Sequence, residues 1–169
     1  MITKEEYQLI FDCLVGDRPN EDLKNHFSNS IDLNKYIQIV DEYISLRNNR
    51  KLEVILYLSM VIEDKKGVKE IENRLLLENW HSQYEEILSG FQHSGNFPEC
   101  IPNIIKIMEE PPIFYTKGGQ LQGFIRKCAY AIAAQPKPYN IEALTKLSKY
   151  DDEFIKKFAL HQLGKIAAI

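Results

Sequence analysis

Ile125-Arg126-Lys127-Cys128-Ala129-Tyr130-Ala131-Ile132-Ala133-Ala134 and Ile155-Lys156-Lys157-Phe158-Ala159-Leu160-His161-Gln162-Leu163-Gly164 are one pattern written twice. Each copy opens on isoleucine and a base, places alanine four residues on, and closes on an apolar or small cluster. On an α-helix that spacing lines up the isoleucine, the alanine and the closing cluster on one stripe. A side chain as small as that of alanine lets a neighbouring helix approach closely. The copies lie about thirty residues apart, and Ile141-Glu142-Ala143-Leu144-Thr145-Lys146-Leu147 supplies another helix between them. A period of this size, with two helices to the unit, is expected of stacked helical-pair repeats. The pattern points to an architecture and carries no chemistry.

The chain upstream also reads as helices. Thr3-Lys4-Glu5-Glu6 is a capping box, followed by Tyr7, Ile10, Phe11 and Leu14 at helical spacing and by Gly16 as a stop. Asp17-Arg18-Pro19-Asn20 is a turn in which Asn20 is placed to cap a short helix through Phe27. After a break at Ser28-Asn29-Ser30, a helix from Asp32 carries Leu33, Tyr36, Ile37, Val40, Tyr43, Ile44 and Leu46. Leu52 to Ile62 is apolar on most sides and is expected to be one central helix, deepest at Leu52, Ile55, Leu56, Leu58, Ser59 and Ile62. Glu63 to Gly67 reads as an exposed turn, and Val68 to Leu77 as a short helix. Downstream, Tyr84, Ile87, Leu88 and Phe91 form one inward stripe, and Ile101, Ile104, Ile105 and Met108 another. With no alternating strand pattern and no linker, the expectation is a single all-α domain, N-terminal helices over 1–77 and repeats over 78–169.

From about Glu78 to Ile169 the chain resembles the HEAT repeat, above all small bacterial HEAT-like proteins. Asp152, Ile155, Lys156, Ala159, Leu163 and Gly164 carry the likeness best. Ile125, Arg126 and Ala129 match with Ala133 and Ala134 in place of the usual Leu-Gly, and Pro98 to Ile107 is similar to a family second helix with proline in its opening turn. The resemblance implies an α-α superhelix that serves as a scaffold for a binding surface. Its second helices, about Pro98 to Glu110 and Tyr139 to Tyr150, would line a concave wall with Asn103, Lys106, Glu109, Glu110, Glu142, Lys146 and Lys149 facing out.

The residues give little support to catalysis. His26, His81, His93 and His161 form no HExxH and no i, i+4 pair with a third ligand, so no metal is expected. No GxGxxG, GxxxxGK[ST] or GxSxG occurs, so no cofactor and no catalytic residue is assigned. Cys13, Cys100 and Cys128 are far apart, lack CxxC spacing and sit among apolar residues, as buried free thiols do. The adjacent acids Glu5-Glu6, Glu85-Glu86, Glu109-Glu110 and Asp151-Asp152 diverge on a helix and read as solvated charges. A net charge of −3 argues against direct nucleic-acid binding. It sits upstream, with 14 acids and 11 bases over Met1–Leu77 against ten of each over Glu78–Ile169. The opening Met1-Ile2-Thr3-Lys4-Glu5-Glu6 is acidic where a signal peptide is basic, and the apolar run Val54 to Ile62 is too short to span a bilayer. The expected setting is the cytoplasm, away from membranes.

Aromatic residues are in excess, nine tyrosines and one tryptophan, and both types are enriched in protein-binding hot spots. Trp80 is either a packing residue between the two halves or an exposed anchor. The irregular stretch Glu110 to Gly119, with Pro111-Pro112 and Gly118-Gly119, either tucks Ile113 and Phe114 into the core or presents Tyr115 and its neighbours as a binding loop. Small acidic HEAT-like chains resemble immunity proteins of bacterial polymorphic and contact-dependent toxin systems. That resemblance implies a monomer that binds a cognate toxin domain, often a nuclease, and carries out no reaction. The alternatives are an intracellular adaptor or complex subunit and, further off, a HEAT-like bilin lyase or DNA glycosylase. No lyase motif is present, and a glycosylase would want a basic groove. The expected partner face comprises Trp80, Asn103, Lys106, Glu109, Glu110, Tyr115 and Glu142.

Overall fold

The computed structural model describes residues 2–28 and 30–168, and every regular element among them is helical. Asn29, in the break expected at 28–30, lies outside the described residues. The described chain forms two compact units, one of residues 1–71 with 80–83 and one of residues 72–79 with 84–169.

The first unit holds α1 (Lys4–Val15), α2 (Asn20–Phe27), α3 (Leu33–Ser45), α4 (Asn49–Leu56) and the start of α5 (Lys65–Leu75). The capping box forms: the Glu6 N–H donates to Thr3 Oγ1 at 3.1 Å and the Thr3 N–H to Glu6 Oε2 at 2.7 Å. Gly16 then closes α1 in the left-handed conformation at φ +84°, which side chains resist. Packing turns α1 slightly from the stripe expected, so Ile10 and Cys13 are buried while Phe11 faces water. Asn20 does not cap α2: Pro19 precedes it, and its side chain accepts from Tyr57 Oη at 2.9 Å. The expected helix through Ile62 ends at Leu56 and tightens into a 3₁₀ segment, Tyr57–Val61. Lys65 Nζ satisfies the Ser59 and Met60 carbonyls there, at 3.0 and 3.1 Å. Leu52, Ile55, Leu58 and Ile62 are buried as expected, whereas Leu56, at the end of α4, and Ser59, in the tighter segment, are half-exposed. Gly67, expected in an exposed turn, is buried within α5, and a Cβ there would run into the Leu33 methyl groups. Trp80 to Gln83 belong to this unit, held by mutual hydrogen bonds between Ser82 and Asn49 at 2.7 and 2.8 Å.

The second unit contains the last turn of α5 and α6 (Tyr84–Ser94), α7 (Ile101–Glu109), α8 (Ile113–Lys117), α9 (Leu121–Ala133), α10 (Tyr139–Leu147) and α11 (Glu153–Ala167). The helix α9 is its hub, packed against α6, α7, α8, α10 and α11. The two written copies become α9 and α11, and α10 packs on both. Ile125, Ala129 and Ile132 are buried in the first, and Ile155, Ala159 and Gln162 take the equivalent places in the second. Gln162 Nε2 finds no hydrogen-bond partner among the described residues, which sets it apart from Ile132. Asp152 Oδ1 caps α11, accepting from the Phe154 and Ile155 N–H groups at 2.9 Å each.

Gln135, just after α9, is buried and uses its amide fully. Its Nε2 donates to the Ala131 and Phe91 carbonyls at 2.9 and 3.1 Å, and its Oε1 accepts from the Phe97 N–H at 2.8 Å. One side chain thus ties the end of α9 to the end of α6 and to the entry of α7. Beside it, Gly95 turns the chain at φ +51°, with the Ala134 carbonyl so close that a Cβ would sit 2.7 Å from it.

Candidate functional site

The outward side of α7 follows from its entry. A 3₁₀ turn over Pro98–Cys100 leads in, and Ile101, Ile104, Ile107 and Met108 turn inward. That differs by one position from the stripe expected. Ile105 is half-exposed and lines a groove beside α10, and Ile107 takes the core place expected of Ile105. Lys106, Glu109 and Glu110 are exposed, as are Glu142, Lys146 and Lys149 on the α10 side. Asn103 is half-buried, and its Nδ2 donates to the Asn73 carbonyl at 3.1 Å and to Asn73 Oδ1 at 3.0 Å. It orients α7 more than it faces solvent. Glu109 accepts from Tyr150 Oη at 2.6 Å, and that bond is the main reason the Tyr150 phenol is raised above its ordinary range.

Two grooves flank α7. The first, about 550 Å³, runs along Leu76, Leu77, Lys106 and Glu110 to Pro111, Pro112 and Ile113. The second, about 320 Å³, lies between α7 and α10 and is walled by Pro102, Ile105 and Tyr139, with Glu142 and Lys146 at its edge. Of the residues expected to form one face, the structure therefore brings Lys106 and Glu110 together at one groove and puts Glu142 at the other.

The stretch 110–119 resolves opposite to its core option. Pro111 and Pro112 end α7 and start the short α8, in which Tyr115 turns inward. Tyr115 is 2% exposed, stacked on Phe124 at 4.1 Å between ring centroids, with Tyr84 edge-on to the same ring at 6.1 Å. Burial, then Glu85, holds the Tyr115 phenol protonated far above its usual range, and burial raises Tyr84 to about 12. Tyr115 is thus a core residue and leaves the expected face. Its neighbours replace it: Ile113 and Phe114 are 64% and 37% exposed, and Leu77 is 45% exposed. A helical period through 113–117 carries the signal, since it puts Tyr115 on the side opposite the outward pair. Trp80 is half-buried, packed edge-on to the His81 ring at 5.4 Å, and stands with the first unit.

The Cys13, Cys100 and Cys128 thiols are buried, and burial raises Cys128 well above its ordinary range. A thiol held that way is a poor nucleophile. Among the described residues no three His, Cys, Asp or Glu side chains gather where a metal ion could bind. None of the described helices is long and apolar enough to cross a membrane. Exposed apolar side chains beside fixed charges are the materials of a protein interface. Compared with models of protein families, with curated proteins and with solved structures, the chain shows no match.

Proposed function

We propose that this chain is a non-catalytic protein-binding module, an immunity protein that binds and neutralises a cognate bacterial toxin domain. The observation that carries the proposal is the exposure of Leu77 and Ile113 in the groove that Lys106 and Glu110 also line, with Phe114 exposed next to Ile113 on α8. Large apolar side chains gathered at a groove are what a partner covers, and the flanking charges set the register of the contact. The likeness of α9 and α11 to HEAT helices gives the same direction, because arrays of that kind work through their surfaces. The acidic net charge suits a basic partner such as a nuclease, whose approach it would speed.

The test is co-expression. The chain is produced together with the C-terminal domain encoded by the gene directly beside its own, and growth is scored. Rescue of growth by the wild-type chain and its loss in Phe114→Asp, with the helical signal intact, is the expected result. A neighbouring domain that is harmless without this chain would remove the toxin-immunity assignment.

A further inference from the structure

The net charge of the chain has one address. Residues 1–28 hold six acids and three bases, and residues 29–169 hold 18 of each, so the excess of three acids falls on α1, α2 and the turn between them. The six acids all reach solvent. Three of them, Glu5, Glu6 and Asp12, edge a groove of about 560 Å³ with a mostly apolar lining, which Leu9, Arg18 and His26 also line. Part of that edge is already organised. Glu6 caps α1 and faces His26 at 3.6 Å, which leaves it below its ordinary range, chiefly through the Thr3 amide. Asp12 accepts from Gln8 Nε2 at 2.6 Å and faces Arg18 at 3.6 Å. Glu5 and Asp17 stand exposed beside these pairs. Next to the groove, helical spacing puts Phe11 and Val15 on the strip that adjoins Gln8, and they are 37% and 50% exposed.

We infer that the α1–α2 groove is a second docking surface, one that takes a basic amphipathic segment of a protein partner. Charge complementarity selects the occupant. An apolar floor with an adjoining apolar strip accepts the apolar side of such a segment, while the local excess of carboxylates meets its lysines and arginines. A neutral apolar segment would bring no counter-charge to the local excess of carboxylates, and a purely cationic one would leave Phe11 and Val15 uncovered. This surface is separate in sequence and in unit from the α7–α8 groove and stands or falls without it.

The probe is a synthetic peptide of lysine and leucine at helical spacing, titrated into the isotope-labelled chain at low salt and followed by amide chemical shifts. Shifts confined to α1 and α2 are expected, with binding that weakens as salt rises. The double variant Glu5→Lys, Asp17→Lys is expected to lower affinity about tenfold, whereas Glu63→Lys, Glu70→Lys, an equal change of net charge elsewhere, leaves it within about twofold. An oligolysine of the same charge is expected to bind more weakly than the mixed peptide. Equal losses in both double variants would mean that overall charge attracts the peptide, and shifts centred outside α1–α2 would place it elsewhere. Either result, or equal binding of oligolysine, overturns the inference.

Discussion

Replacing Gln135 by leucine should destabilise the second unit more than its size suggests. The side chain is 2% exposed and makes three hydrogen bonds, to Ala131, Phe91 and Phe97. The losses are unequal. The Phe91 carbonyl also accepts from the Gly95 N–H at 3.1 Å, so it keeps a partner. The Gln135 N–H bonds to Ile132 at 3.0 Å and not to Ala131, so the Ala131 carbonyl depends on the side chain, as does the Phe97 N–H. Two buried backbone groups left without partners cost about 1–3 kcal/mol each, giving about 2–6 kcal/mol in all. The apolar surface of leucine offsets a fraction of that. For a chain of this length the loss corresponds to a midpoint lower by about 5–15 °C. Urea and thermal unfolding followed by circular dichroism measure the loss, and hydrogen exchange at the Phe97 amide locates it. A loss under about 1 kcal/mol, or unchanged protection at Phe97, would refute the assignment of this side chain as a clamp.

Three further outcomes are expected. Ala159 is fully buried in α11 where α9 and α10 meet it, so Ala159→Leu should destabilise by about 1–3 kcal/mol through overpacking, read by the same unfolding assay. Gln162 holds the place of Ile132 with a buried Nε2 that lacks a partner, so Gln162→Leu should stabilise the fold, by about 1 kcal/mol in denaturant unfolding. Tyr84 and Tyr115 are neutral acids raised by burial, from an ordinary 10 to about 12 for Tyr84 and further for Tyr115. Their contribution to stability is complete below pH 10 and is lost as pH rises through the folded values, because the unfolded chain ionises first. A spectroscopic phenolate titration should therefore show at least two of the nine tyrosines silent until the fold gives way at alkaline pH.

The helices were legible where the chain states them redundantly. Thr3 with Glu6, Asp32 before Leu33 and Asp152 before Ile155 are caps that any helix start would use, and each is made. The pairing of Ile125 with Ala129, and of Ile155 with Ala159, marks buried faces because period and size agree. What failed was local geometry set by a distant partner. Asn20 reads as a cap from its neighbours alone, yet Tyr57, 37 residues on, claims its side chain. The winding of 57–61 into a 3₁₀ segment depends on Lys65 reaching two carbonyls, which no apolar period records. Nothing in the sequence marks Gln135 and Asn140 for burial, because their partners, Phe97 and Ala133 among them, meet them only in the fold.

The candidate face was half legible. Charge pattern was enough to put Lys106, Glu109, Glu110 and Glu142 outside. Apolar character alone gave no such sign, since Ile113, Phe114 and Tyr115 are adjacent and alike. Only the five-residue helix between Pro112 and Gly118 decides that Tyr115 joins Phe124 and that Phe114 does not bury. Aromatic number was a poor guide for the same reason, because Tyr36, Tyr84 and Tyr115 are all core.

The most direct measurement is size exclusion of the chain co-purified with the C-terminal domain encoded beside it, run for wild type and for Phe114→Asp. A stable one-to-one peak for wild type that separates into two for Phe114→Asp is the expected result. Two separate peaks for wild type would contradict the protein-binding function, and a peak indifferent to Phe114→Asp would move the contact away from the α7–α8 groove.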